Sequence, residues 1–276
     1  MVKGIGKYWY LYCLVLCLSG SCDSIGQKEI TSPEGYDFSA GKKHQLFSKL
    51  REISGIAFLP GSDTSMLAVN DEEGRIYAVN INAPEFMADP TKFSGKGDYE
   101  DIAFFKDKWR VLESNGLIHS GNLATPDWTK PPRFLPKDEY EAMAACNDSL
   151  VVICKECKEN KEGTSTVFFI KADVDSLYIE STIQLEASDF IKGKNKQVLA
   201  SALARHPITR EWFILSHLNG SLLIADAQFK VKQSFKLPRS IFLQPEGIAF
   251  SANGDLFISN EGDTGQGYIL EFAYGD

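Results

Sequence analysis

This 276-residue chain is predicted to be all-β and to fold as a five-bladed β-propeller whose last blade is closed by an N-terminal strand. One observation is a recurring word: "SGIAF" at 54–58, "YEDIAF" at 99–104, "YEAMAA" at 140–145, "SALAR" at 201–205 and "PEGIAF" at 245–250. A second is its spacing. Ala57, Ala103, Ala144, Ala204 and Ala249 follow one another at 46, 41, 60 and 45 residues, and a period of roughly 40–50 is that of four-stranded propeller blades. The third is texture, since short β-branched and aromatic runs are punctuated throughout by Asn, Asp, Gly and Pro, the pattern of strands joined by turns.

The units repeat the same order. "SGIAF" leads to "MLAVNDE" and "EGRIYAVNI"; "YEDIAF" leads to "WRVLES" and "NGLIHSGNL". The third runs through "SLVVICKECKEN", a strand entering a loop. The fourth offers "SALAR", "WFILSH", "SLLIADA" and "KVKQSFKL", and the fifth "EGIAF", "LFISNE" and "GYILEF". "EASDFIKG", in the longest gap, has the pattern of a short helix. From about Gln45 to Asp276 there are 232 residues, room for five units of about 45. The fifth ends soon after its third strand, so its outermost strand must come from "GYDFSAGKKHQLFSKL" near the start. Such closure removes an open sheet edge.

The N-terminus sets the compartment. Lys3 and Lys7 precede the apolar run "YWYLYCLVLCL" and the small residues "SGS" before Cys22, the marks of an export signal. The run is short of the about 20 residues a membrane span needs. "LSGSC" resembles a bacterial lipobox, with Ser19 where an aliphatic residue is usual; cleavage there would leave Cys22 to carry a lipid. The expected organisation is a lipoprotein-type signal peptide over 1–21, a tether and closing-strand region over 22–44, and the propeller over 45–276. The expected location is the bacterial cell envelope, held to a membrane through Cys22. Cleavage removes two lysines and no acid, so the formal charge moves from −8 to −10. An acidic chain is a poor partner for nucleic acid or anionic lipid surfaces, and compatible with metal binding.

The charges fall in register. The start of an innermost strand and the end of the second strand lie on one face of a propeller. The first set holds Ser54, Glu100, Glu141, Ser201 and Glu246; the second holds Asp71 with Glu72, Glu113, Glu156, Ser216 with His217, and Glu261. One such Glu would be a turn cap or a solvated rim charge. Repeated across blades, Glu100, Glu141, Glu246, Asp71, Glu113, Glu156 and Glu261 are the candidate metal ligands. Crowded carboxylates repel unless protonated or neutralised, and many hard oxygens favour calcium. The glycine of the word permits close backbone approach at the axis.

The order of these words resembles the SdiA-regulated family of bacterial exported proteins, distantly related to NHL-repeat propellers. That family's "SGL", "DE", "D-x-EGI", "FEGLA", "SGL", "LS" and "Q-x-EGVA…G-LYIVSE" are matched by "SGI" with Asp71-Glu72, "DYEDI" with Glu113, "YEAMA" with Glu156, "SAL" with "LS" at 215–216, and "QPEGIA…GDLFISNE". The likeness spans about Arg51 to Phe272. It implies a five-bladed propeller with a bound calcium ion and no established enzymatic activity. Asp101, Ala142 and Ala202 replace family glycines, and the fourth blade lacks the usual acid, which makes that blade the poorest source of ligands.

Remaining motifs carry less. Cys154 and Cys157 form a C-x-x-C without the helix start that thioredoxin-type chemistry uses and without a second zinc ligand pair. Buried thiols are the first expectation and a disulfide the alternative. His44 is expected ahead of the ring and His206 in a turn on the opposite face, leaving His119 and His217 as the imidazoles for catalysis. The functional expectation is a calcium-holding, lipid-anchored module binding an unidentified small-molecule, polymer or protein ligand. The alternative is a calcium-dependent hydrolase of lactonase, esterase or phytase type acting at the channel mouth, which would need a general base beside the metal.

Overall fold

The structure is a computed structural model describing Met1 and residues 30–84, 88–124, 127–129, 132–158, 160–174, 176–191 and 196–275. Apart from Met1, the predicted signal peptide lies outside the described residues, as does Cys22.

Five antiparallel sheets form the ring. Strand β1 (Lys42–Gln45) precedes a 3-10 turn at Ser48–Leu50. Blade one is β2 (Ile53–Phe58), β3 (Ser65–Asn70), β4 (Glu73–Asn80) and β5 (Thr91–Lys96). Blade two is β6 (Tyr99–Phe105), β7 (Lys108–Glu113) and β8 (Ile118–Gly121), extended by a bridge from Ser120 to Thr129. Blade three is β9 (Glu139–Cys146), β10 (Ser149–Glu156), β11 (Thr164–Ala172) and β12 (Leu177–Glu186). Blade four is β13 (Ala202–Arg205), β14 (Trp212–Ser216), β15 (Ser221–Ala225) and β16 (Val231–Lys236). Blade five is β17 (Pro245–Phe250), β18 (Leu256–Asn260) and β19 (Tyr268–Phe272), with β1 as its fourth strand. Ala57, Ala103, Ala144, Ala204 and Ala249 all lie on innermost strands, which touch around the ring, β17 closing onto β2.

The closure is the one expected from the shortage of sequence in the last unit. β1 pairs antiparallel with β19, His44 opposite Ile269. His44 is therefore part of the ring rather than ahead of it. It is buried, with Nε2 2.6 Å from Glu271 Oε2. Residues before β1 also pack on the ring: the Tyr36 hydroxyl donates to the Gly254 carbonyl at 2.5 Å, and Phe38 is buried beside Phe242 and Phe272. His206 lies at the far end of β13, its Nε2 2.8 Å from the Tyr36 hydroxyl. Of "EASDFIKG", the described residues 186–191 make one turn, Ile191 N donating to Ala187 O, and not a helix.

The core is divided among the blade interfaces. Leu67, Val69, Trp109 and Val111 fill the space between blades one and two, and Leu112, Tyr140, Met143 and Val152 that between two and three. Val151, Leu203, Trp212 and Ile214 lie between three and four; Phe213, Leu222, Ile248 and Ile258 between four and five. Leu46, Ile56, Ala68, Ala249 and Phe257 join five to one. The second strand of each sheet is apolar on both faces because it is sandwiched, whereas the outermost strands β5, β12 and β16 are largely exposed. Burial of the sandwiched kind contributes roughly 25 cal/mol per Å² of apolar surface.

Polar staples cross the same interfaces near the axis. Asp101 Oδ2 accepts from Met143 N (2.8 Å), Ser201 Oγ donates to Pro245 O (3.1 Å), and Ser259 Oγ donates to Ser54 O (2.8 Å). Glycine is required where the strands come closest. A Cβ on Gly55 would stand 2.5 Å from Asp101 Cα, and one on Gly247 would meet Ser54 O and stand 3.2 Å from Ile56 N. Gly247→Val should therefore cost about 1–3 kcal/mol by overpacking and lower Tm by several degrees, whereas Gly95→Ala, where a Cβ has open space, should change little. Circular dichroism melts check this; an unchanged Tm for Gly247→Val would mean that blades five and one do not meet closely there.

Candidate functional site

A repeated irregularity aims the carboxylates. In blade two, Tyr99 pairs with Glu113 and Asp101 with Leu112, so Glu100 is the extra residue of a β-bulge. In blade five, Pro245 pairs with Asn260 and Gly247 with Ser259, leaving Glu246 extra. In blade three, Ile153 faces Ala142 and Cys154 faces Tyr140, leaving Glu141 extra. A bulge sets two residues against one and re-aims a side chain. The word "E-G-I-A" is thus the sequence of a bulge at the mouth of the innermost strand. Blade one has the same shift between Ile53 and Ile56, where Ser54 stands in place of an acid.

The result is an acidic cavity of about 340 Å³ at one mouth of the channel, lined by Asp71, Glu100, Glu141, Glu246 and Glu261. Asp98 and Glu139, which the register of repeated words did not single out, line it too, as do His217 and Lys155. Two expected residues do not. Glu113 turns into blade two, its Oε2 2.9 Å from His119 Nε2 and its Oε1 accepting from the Asn115 amide. Glu156 is exposed at the end of β10. The physical reason is a second bulge, since Cys154 pairs with Tyr140 and Glu156 with Glu139, making Lys155 the extra residue. One inserted residue reverses the side a strand presents. Lys155 therefore takes the position expected for Glu156.

Lys155 is the ammonium of this lining. Its Nζ is 3.0 Å from Glu139 Oε1 and bonds Glu141 Oε1 more closely still. Burial alone would depress its pKa, but those two carboxylates hold it above the ordinary lysine range. The acids go up. Burial, then the charges of Glu141 and Asp98, push Glu100 to about 10; burial and the charge of Glu246 push Glu261 to about 8. Burial against the opposing pull of Lys155 leaves Glu141 at about 7, and burial with Glu52 and Glu72 nearby raises Asp71 to about 6. Asp71 Oδ1 is buried with no hydrogen-bond partner. His217 Nδ1 stands 3.1 Å from Glu246 Oε1.

These residues fit a hard cation in chemistry: all the anionic donors are carboxylate oxygens, the charge is strongly negative, and one buried oxygen is unpartnered. Their spacing adds a condition. Calcium–oxygen bonds of about 2.3–2.6 Å place the ligands of one ion within about 5 Å of each other. Among the described residues no three of these carboxylates bring oxygens within 4.8 Å of one another. To ligate calcium directly they would have to close in around it; as placed they reach an ion through intervening water.

Cys154 and Cys157 are joined in a disulfide, not left as thiols, and Cys146 is free. Among the described residues the trio that does meet the 4.8 Å spacing is Asp138 with these two sulfurs, which the disulfide occupies. Beside the mouth, and sharing His217 and Leu218 with it, lies a wider groove of about 1070 Å³ that reaches Lys236 and Arg239 at the outer side of blade four.

The pH dependence follows from the raised acids. Unfolded, Glu141, Glu261 and Glu100 lose protons near 4.5; folded, near 7, 8 and 10. Between those values the folded state holds more protons, so stability present below about pH 4.5 is lost as pH rises. In chelator, Tm should fall from about pH 5 to about pH 8, and less steeply in Glu261→Gln. Melts across that range check it; a Tm rising there in wild type would mean that the mouth is solvated and its acids ordinary.

No protein-family model and no curated relative matches this sequence. Solved structures do. A glutaminyl cyclase of Myxococcus xanthus superposes with a TM-score of 0.56 at 15% identity, covering 85% of this chain and 96% of that one. A gluconolactonase-like protein gives 0.55 at 9% identity over 88% and 97%. A luciferin-regenerating enzyme gives 0.51 at 9% identity over 84% and 95%. Similarity at this level concerns the fold, and the chain is a five-bladed β-propeller.

Proposed function

We propose that this protein is an exported, lipid-anchored propeller of the SdiA-regulated type whose acidic mouth takes a calcium ion, and that it serves as a binding module of the cell envelope. The single observation that carries this reading is the convergence of five registered carboxylates, with Asp98 and Glu139, on one cavity where a buried Asp71 oxygen has no partner. Such a cluster needs protons or a cation; without a cation Glu100 and Glu261 keep their protons at neutral pH, and a bound cation would take the place of those protons. Asp71, Glu100, Glu141, Glu246 and Glu261 are the residues that would hold it, Glu141 at the expense of its bond to Lys155. The ion would supply positive charge and an electrophilic position at the channel mouth. The adjoining groove offers an extended surface for a ligand next to that position. The export signal and Cys22 support the anchor, and the order of words supports the family.

The test is metal content and stability together. If calcium binds only the folded ring, it adds about 2.7 kcal/mol at a hundredfold excess over Kd, worth several degrees of Tm at this size. Chelation should lower Tm, calcium should restore it better than magnesium, and Glu100→Gln with Glu246→Gln should abolish the difference. An unchanged melt after chelation, with no metal by elemental analysis, overturns the reading. For the anchor, Cys22→Ala should shift the protein from the membrane fraction to the soluble fraction of a lipoprotein-processing host. A mature N-terminus other than an acylated Cys22 would exclude it.

A second reading is a calcium-dependent hydrolase. It draws on the His217–Glu246 pair inside the cavity, the arrangement a general base would need, and on the presence of enzymes among propellers of similar fold. Under it, His217→Asn should abolish turnover in a lactone and ester panel while leaving the calcium-dependent Tm shift in place. A panel without turnover by the calcium-loaded protein removes that reading and leaves the binding module.

A further inference from the structure

We propose that Lys155 is a built-in competitor for the cation at the mouth and that the Cys154–Cys157 disulfide holds it there, so that opening the disulfide raises the mouth's affinity for a divalent cation. The proposal rests on the reading of the mouth as a cation site. Three observations meet at one tetrapeptide. Lys155 lies inside the ring closed by the disulfide, whose Cα atoms are 5.8 Å apart. It is the extra residue of the second bulge in blade three. Its ammonium pairs with Glu141 and Glu139 in the cavity that would receive the ion.

The coupling is mechanical. A bulged strand end can return to regular register by shifting one residue, and such a shift turns every side chain beyond it to the other face. In "Cys-Lys-Glu-Cys" the shift would take Lys155 away from Glu141. The disulfide forbids it by tying Cys157 back to Cys154. With the ring closed, the ammonium remains at high local concentration beside two carboxylates, and an arriving cation must displace it or share them. With the ring open, that competition weakens.

The redox step balances with a dithiol as reductant. A thiolate of the dithiol attacks the partly exposed Cys157 sulfur, the Cys154–Cys157 bond breaks, and Cys154 leaves and takes up a proton. The dithiol's second thiol then displaces Cys157 and completes its own oxidation to a disulfide. The protein gains two electrons and two protons, and the dithiol loses them. The buried Cys154 sulfur lies 3.3 Å from the Glu139 carbonyl oxygen, an acceptor ready for the new S–H.

Calcium itself is the probe, titrated by calorimetry into the full-length protein as oxidised and after dithiothreitol, with two added thiols confirming reduction. Reduction should tighten calcium binding on the order of tenfold, a common size for coupled sites. Lys155→Met should bind tightly in both states, and Lys155→Arg should restore the redox dependence. By reciprocity, calcium should shift the thiol–disulfide equilibrium toward the dithiol by the same factor. That readout uses wild-type protein and needs no variant to fold. Equal calcium affinity in oxidised and reduced wild type overturns the redox link. A redox effect that persists in Lys155→Met overturns the role of Lys155. Absence of calcium binding in every form, Lys155→Met included, overturns the cation reading of the mouth.

Discussion

Pairing of β1 with β19 is the contact on which the ring depends. The five inter-blade cores each need two blades, and blade five has its fourth strand only because Lys42–Gln45 returns to it across more than two hundred residues of chain. Closure brings Leu46 and Leu50 onto Ile56 and Phe257 at the seam between blades five and one. It also places the buried His44 against Glu271 and carries Tyr36 and Phe38 onto blade five. Without it the last sheet would present an unpaired edge, and the seam would lose apolar cover on one side. The mouth inherits this dependence, because Asp71 and Glu261 approach each other only across that seam.

The mouth stores unfavourable electrostatics. Seven carboxylates face one ammonium there, most of them raised by burial and mutual repulsion. Apolar packing between the blades and the staples near the axis hold them together. Carboxylates scattered on a rim would relax into water; Glu100, Glu141 and Glu246 are aimed inward by bulges whose position repeats from blade to blade. Strain of this kind is maintained only where the surroundings over-determine it. A cation relieves it from outside, and Lys155 relieves part of it from within.

The distribution of glycine and its replacements follows the same geometry. Gly55 and Gly247 stand where adjacent innermost strands nearly touch. At the equivalent place in blade two, Asp101 uses its side chain instead, accepting from Ile102 N and Met143 N and so linking blades two and three. Burial pushes that carboxyl well above its usual range while the two amides favour its charged form. A position that reads as a departure from the repeat is a structural staple.

What the sequence alone determined is whatever is local or periodic: short strands and turns, a word that returns about every 45 residues, and too little chain at the end to finish the last blade. These sufficed for the five blades, for Ala57, Ala103, Ala144, Ala204 and Ala249 on the inner strands, and for the closing strand before Arg51. They also brought Asp71, Glu100, Glu141, Glu246 and Glu261 to one mouth. Only the tertiary structure decided the rest, because a β-bulge changes facing by a single residue and leaves composition unchanged. It turned Glu156 outward and Lys155 inward, joined Cys154 to Cys157, and added Asp98 and Glu139, each the residue just ahead of a repeated word. Glu113 was decided by a neighbour six residues away, since buried His119 draws its carboxylate into blade two. Side-chain facing at an irregular strand end depends on which partner lies across the sheet, and partner identity is a property of the closed ring.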